Sequence, residues 1–230
     1  LPELRVHEEV VSVDNSTAGA DRDGQVKMFR EAALGLADAA KERRDNMQEK
    51  IARVVEIINR PENKDDHFLL WHDLEAEREA LCKAIPGCKA VYGSQDDEEA
   101  DRVIADFKDG RLKYLAAKPE MLGEGLNFQY HCHKAIMFID YRFNDKFQAI
   151  ARIYRFMQQH PVDLYLVYAE SEGEIFKSFM QKWAQHRQMV AKMTDIVREN
   201  GLFGLQAEEK MMRWMFASRE EKSGKLWRAI

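Results

Sequence analysis

The spacing of apolar residues along the chain changes rhythm near residue 61. Residues 1–13 alternate, with Val6, Val10 and Val11 around His7 and Glu8, and this predicts a short strand. A turn-rich linker follows at 14–24, rich in Asp, Asn, Ser and Gly. Over 25–60 the spacing is helical: Met47, Ile51, Val54, Val55 and Ile58 share one face, with Lys41, Arg43, Arg44 and Glu49 between them. Pro61 and the polar run 62–66 end that helix.

Beyond it, short apolar runs recur at 68–71, 90–92, 112–117, 135–139 and 164–168. Helical patterns fill most of the gaps, at 74–85, 97–107 and 145–158. Strands that alternate with helices predict an α/β fold, a parallel sheet of about five strands with helices on both faces. Ligands of such sheets bind at the carboxyl ends of the strands, so the loops after each run are where chemistry is expected. A long helix closes the pattern. Ser171 and Glu174 read as its capping box, and Phe176, Phe179, Trp183, His186, Val190, Met193 and Val197 follow at helical spacing up to Asn200-Gly201. Residues 206–230 hold one more amphipathic stretch around Met211, Met212, Trp214 and Met215. This divides the chain into a strand, linker and helical connector (1–60), a main α/β domain (61–169) and a C-terminal helical extension (170–230).

Composition narrows the class. Of 230 residues, 45% are apolar and 33% charged, enough to build a core and too apolar for a disordered chain. Mean hydropathy is −0.54 and no apolar run approaches the ~20 residues of a membrane span, so no membrane partner is expected. The three cysteines, Cys82, Cys88 and Cys132, are too few and odd in number for a secreted disulfide scaffold, which predicts a reducing, cytoplasmic setting. The opening Leu1-Pro2-Glu3, without Met or a signal peptide, reads as a piece of something longer. A net charge of −5 neither marks nor excludes a nucleic-acid binder, because binding follows local surface charge.

Two segments carry candidate chemistry. If residues 145–158 are helical, Gln148, Arg152, Arg155 and Gln159 form one polar stripe, with Ile150, Ile153, Tyr154 and Met157 opposite. Paired guanidinium groups at a sheet edge suit phosphate oxygens, although solvated arginines on an ordinary amphipathic helix give the same stripe. Upstream, the strand at 112–117 leads into Lys118-Pro-Glu-Met-Leu-Gly123-Glu-Gly125-Leu-Asn127-Phe-Gln129. Glycines there let backbone N–H groups approach phosphate, and Asn127 and Gln129 can orient a partner.

The order strand, glycine loop, strand, arginine segment resembles the C-terminal RecA-like lobe of superfamily-two helicases, Swi/Snf-type translocases in particular. The 123–129 stretch looks like their fifth motif and Gln148-x-x-x-Arg152-x-x-Arg155-x-x-Gln158 like their sixth. The strand ending at His72 looks like the fourth, with Val91-Tyr-Gly-Ser94-Gln95 following it. The wording around Trp71-His-Asp-Leu and Tyr92-Gly-Ser-Gln is similar to prokaryotic and phage helicases found beside or fused to DNA methyltransferases. The resemblance covers about residues 45–200.

The resemblance implies a RecA-like parallel sheet between helices, with added N- and C-terminal helices. It implies the second motor lobe of an ATP-dependent DNA helicase or translocase, with ATP and Mg bound mainly by an N-terminal lobe of the same polypeptide. Arg152, Arg155 and Gln148 then have catalytic roles, Arg155 as the arginine finger. Gly123, Gly125 and Asn127 face the nucleotide, and His72, Ser94, Lys118 and Gln129 face DNA. A fused or associated DNA methyltransferase is a further implied partner. The isolated chain is expected to be inactive.

Three positions depart from the family. Ala151 and Met157 stand where glycine is usual, and Ala117 where Ser or Thr is common. Met157 is expected to repack the apolar face of its helix. No Gly-x-x-x-x-Gly-Lys-Ser/Thr occurs, and Gly224-Lys225 runs into Leu226. Asp96-Asp-Glu-Glu99 is read as a helix N-terminus, not a metal-binding acidic box. His131-Cys132-His133 lacks a second ligand pair at zinc-finger spacing, so no metal site is expected. Lys118, Lys134, Arg142 and Lys146 are candidates for a positive surface at the strand ends. Two rivals remain: a non-catalytic α/β interaction module, with Arg152 and Arg155 in salt bridges or turned away, and a nucleotide-using enzyme such as a methyltransferase. The second lacks a glycine loop at His72-Asp73-Leu74.

Overall fold

A computed structural model describes residues 2–12, 46–122, 126–140 and 142–200. In chain order the elements are β1 (Leu4–Val11), α1 (Met47–Ile58), β2 (His67–Trp71), α2 (Glu75–Ala84), β3 (Lys89–Val91) and α3 (Asp97–Lys108). They continue with β4 (Tyr114–Ala117), β5 (Cys132–Phe138), α4 (Phe143–Ile150), β6 (Val162–Ala169) and α5 (Gly173–Asn200). The linker at 14–24, the first part of the 25–60 helix, Gly224-Lys225 and the amphipathic stretch at 206–230 lie outside the described residues.

Among the described residues six strands form one sheet in the order β1-β6-β5-β2-β4-β3, with each pairing parallel. Five were expected. The sixth is the N-terminal strand, which joins the sheet beside β6 with Leu4 opposite Val162 and Val11 opposite Ala169. Its alternating exposure marks an edge strand, whereas all of β6 is buried on both faces, as a central parallel strand requires. From β2 the chain passes to β3 and back to β4, then crosses to β5 on the far side of β2. The carboxyl ends of β2, β4 and β5 therefore meet at a switch point, where open α/β sheets bind ligands.

The strands read as continuous apolar runs because both faces are covered. Phe68 and Leu70 join Val54, Ile57, Leu81, Ile136, Phe138 and Val167 in one core cluster. Leu69 and Trp71 point the other way by strand alternation and are just as buried. Side chains of this size each contribute roughly 1.5–3 kcal/mol when fully buried. Polar anchors fix the elements to one another. The Lys50 ammonium on α1 donates to Glu172 Oε1 at 3.1 Å, and both groups are sealed from water. Glu172 Oε2 also accepts from the Ala169 N–H at 2.8 Å. This acid, not Glu174, closes the turn after β6; Glu174 pairs instead with Lys177 at 2.6 Å.

Asp96 caps α3, its Oδ1 accepting from the Glu98 N–H at 3.3 Å, as the acidic run predicts. The described residues fall into two compact units, one ending at Phe179 and the other beginning at Met180. Among them no helix is long and apolar enough to cross a membrane.

Candidate functional site

The segment expected to be one helix over 145–158 is not one. Helix α4 stops at Ile150, and 151–158 is a chain of turns. The stripe of Gln148, Arg152, Arg155 and Gln159 therefore does not exist as drawn. Gln148 is exposed on α4, and it takes no part in the hydrogen bonds that hold the arginines. Met157 does not repack a helix face. It is half exposed, with a φ of 76°, and among the described residues it alone combines a side chain with a left-handed backbone. A glycine is the natural occupant of that conformation, so Met157 is a strained residue at this turn.

Tertiary hydrogen bonds replace the helical ones. Arg152 Nη2 donates to the Leu122 carbonyl at 3.0 Å and Arg155 Nη1 to the Leu126 carbonyl at 3.3 Å. Return contacts run from the Phe128 N–H to the Arg152 carbonyl (3.4 Å) and from Gln129 Nε2 to the Phe156 carbonyl (3.4 Å). Gln158 is buried and donates to the carbonyls of Cys132 (3.1 Å) and Ile153 (3.2 Å), while its Oε1 accepts from the His160 N–H. Leu122 and Leu126 flank residues 123–125, so the two arginines hold both ends of the glycine segment. Gly123 and Gly125 themselves lie outside the described residues.

Both arginines are half-buried, and among the described residues neither pairs with a carboxylate. Each guanidinium has five N–H donors, of which the bonds above engage one. Arg152 Nε, Asn127 Oδ1 and Gln129 Oε1 are buried without a hydrogen-bond partner. An anionic ligand beside this loop would give Arg152 Nε an acceptor, whereas Asn127 Oδ1 and Gln129 Oε1 need a ligand that donates, because leaving such groups unpaired is costly. Tyr130 and Phe156 are exposed on the same pair of loops.

A second cluster occupies the ends of β2 and β5. Arg142 bonds Asp73 through Nη2, Glu120 through Nη1 (2.7 Å) and Asp140 Oδ2 through Nε (3.1 Å). Burial opposes its charge, but the bond to Asp140 and the nearby carboxylates of Asp73 and Glu120 raise its pKa above the ordinary value. Lys146 is fully buried and paired with Asp73. Lys118 sits 2.6 Å from Glu75. Lys134 is not at this edge. It lies near the start of β5, bonded to Asn63 and 2.7 Å from Asp66. The expected positive surface from these four residues is thus a set of ion pairs. The acids Asp73, Asp140 and Glu120 carry no local signal of this role, although the first two lie two residues past the ends of β2 and β5.

The remaining candidates separate. Ser94 is exposed after β3, whereas Gln129 is buried. His72 is wholly buried, with its backbone N–H on the Ala117 carbonyl and neither ring nitrogen partnered among the described residues. Burial lowers its pKa, against the opposing pull of Glu77, Glu75 and Asp73. In this arrangement the ring cannot touch nucleic acid. Around His131-Cys132-His133 the groups diverge. Cys132 Sγ faces the carbonyls of Lys134 and His67, and burial pushes its thiol up to about 12. His131 lies against Gly110, and His133 faces Asp66 at 3.4 Å. No group of three metal-ligating side chains occurs among the described residues.

The fold is similar to that of the C-terminal part of the Fun30 ATPase domain, with 17% identity and a TM-score of 0.50 over 58% of this chain and 46% of that one. The chain thus spans less than half the length of that relative. The C-terminal domain of S. cerevisiae Dbp5, solved with Gle1 and IP6, is 14% identical over 60% of this chain and 80% of its own, with a TM-score of 0.49. The sequence matches no protein-family model and no curated protein. The architecture is a RecA-like α/β fold, a six-stranded parallel sheet between helices.

Proposed function

We propose that this chain is the second motor lobe of an ATP-dependent DNA helicase or translocase, completing an ATP site shared with an N-terminal lobe of the same polypeptide. The observation that carries the reading is the pair of bonds from Arg152 to Leu122 and from Arg155 to Leu126, which join the arginine loop to both ends of the glycine segment. A loop tied in this way moves with its neighbour, as coupling between nucleotide and DNA contacts requires.

The residues present suit a polyphosphate. The guanidinium groups keep unused donors, and Arg152 Nε is a buried donor awaiting an acceptor. ATP with Mg, held mainly by the other lobe, would supply the γ-phosphoryl group, which would pass to water as ADP leaves. Arg155 stabilises the negative charge that develops there, an effect worth roughly 10³ or more in rate in other NTPases. Arg152 positions the glycine segment. Gly123, Gly125 and Asn127 approach the nucleotide, while Ser94 and Lys118 track the DNA backbone, Lys118 after release from Glu75; Gln129, buried and bonded to the Phe156 carbonyl, reaches DNA only if that loop opens. A DNA methyltransferase partner and a cytoplasmic setting extend the same proposal and rest on the sequence resemblance alone.

The ion pairing of Lys118, Arg142 and Lys146 favours a second reading, a non-catalytic α/β module within a DNA-modification complex. One assay separates the two. DNA-stimulated ATP hydrolysis is measured on the chain joined to its upstream lobe, wild type beside Arg155→Ala. Hydrolysis that collapses about 10³-fold in the variant while ATP binding survives supports the motor. A wild type that does not hydrolyse ATP, or a variant that matches it, leaves the module.

A further inference from the structure

Away from the candidate site, Cys82 near the end of α2 and Cys88 just before β3 bring their sulfurs to 4.0 Å. The turn between them is short and open. Cys88 N–H donates to the Ile85 carbonyl at 3.1 Å, and Gly87 takes a φ of 80° with nothing within 4 Å of the place a Cβ would occupy. Closing the sulfurs to disulfide length needs about 2 Å, within reach of side-chain rotation across such a turn.

The two thiols differ in the way a reactive pair requires. Cys82 is half-exposed, and Cys88 is buried against the core. The neighbouring Cys88 sulfur, aided by the charges of Arg78 and Lys89, lowers Cys82 below the ordinary thiol value, although burial opposes the shift. Cys88 is raised by that same neighbour and by burial. Arg78 is held in place over the Tyr92 ring at 4.2 Å and by Glu75 at 2.8 Å. Cys132 is the internal contrast, a fully buried thiol with backbone partners.

We propose that Cys82 and Cys88 are a modification site for hydroperoxides, forming a reversible intramolecular disulfide in which Cys82 attacks and Cys88 resolves. The Cys82 thiolate attacks one peroxide oxygen, the O–O bond breaks, and the other oxygen leaves as hydroxide. Cys82 is then a sulfenic acid. The Cys88 sulfur attacks the Cys82 sulfur, its proton passes to the departing oxygen, and water leaves. The hydroxide takes up the proton that Cys82 gave away. The two thiols lose two electrons, the peroxide gains two, and a dithiol reductant reverses the bond by exchange.

The test treats the whole chain with hydrogen peroxide, alkylates remaining thiols and maps tryptic peptides. Cleavage after Arg78, Lys83 and Lys89 puts the two cysteines on separate peptides, 79–83 and 84–89. The expected product is those two peptides joined, about 2 Da lighter than their sum, and separated again by dithiothreitol. Cys132 remains alkylatable after unfolding. In Cys88→Ser, dimedone labels Cys82 and no joined pair forms; in Cys82→Ser, Cys88 stays reduced. Modification of Cys82 without a joined pair in the wild type overturns the proposal. So does a bridge between two chains on a non-reducing gel, or oxidation of Cys82 no faster than that of Cys132.

Discussion

Arg152 reaches from the turn after α4 to the carbonyl of Leu122, 3.0 Å away at the end of the segment that follows β4. The bond joins two stretches of chain thirty residues apart in sequence. It gives the spacing Arg152-x-x-Arg155 a structural role on a segment that is not helical. The second arginine grips Leu126, beyond the glycines.

The two grips differ in strength, and this gives a ranking. Arg152→Ala removes the shorter bond and should destabilise the isolated chain by about 1–2 kcal/mol; Arg155→Ala should cost less than about 1 kcal/mol. Urea unfolding of both variants checks the order. A larger loss for Arg155→Ala would mean that Arg155 is held for structure and not kept available for a ligand.

Met157 supplies an opposite sign. Its backbone sits in the left-handed region, which costs roughly 1–2 kcal/mol for a residue with a Cβ, and its side chain is half exposed and packs little. Met157→Gly relieves that strain while adding freedom to the unfolded chain, so a net gain of about 0.5–1 kcal/mol is expected. A lower urea midpoint in the variant would refute the strain argument.

The Lys50–Glu172 pair is buried at both ends. Lys50→Met leaves a carboxylate sealed from water beside an apolar neighbour, which should cost about 3–5 kcal/mol, a large share of a typical domain's stability. An unfolding free energy that changes by less than about 1 kcal/mol in urea titrations would show that Glu172 finds compensation elsewhere.

Much of this was legible in the sequence. Strands β2, β4, β5 and β6 stand out because parallel strands covered on both faces must be apolar throughout. The membership of β1 was not legible: alternation identifies a strand but not its neighbour, and the partner Val162 lies far along the chain. The arginine segment misled because its apolar positions keep helical spacing through Met157. Contacts with Leu122, Leu126 and Cys132, set by tertiary structure, outweigh that local preference. The basic residues at the strand ends misled for a related reason, since nothing local shows that Asp73 and Asp140 fold against Arg142.

Acid should weaken the fold in a defined window. Burial lowers the pKa of His72 and of His133 below the 6.5 of a free imidazole. Below that value the unfolded chain binds more protons than the folded one. Stability is therefore complete above about pH 6.5, falls as the pH drops below it and levels off beneath the folded pKa values. The urea midpoint should be lower at about pH 5.5 than at about pH 7.5, and His72→Gln should shrink the difference. Equal midpoints in the wild type would exclude this linkage.

The edge position of β1 sets a timetable for synthesis. The strand that leaves the ribosome earliest among the six pairs with the one that leaves last, residue by residue from Leu4 with Val162 to Val11 with Ala169. At ~5–20 residues per second, the nascent chain carries an unpaired strand for on the order of ten seconds before its partner is made. The charges of Arg5, Glu8 and Glu9, spaced through that strand, keep it soluble while it waits.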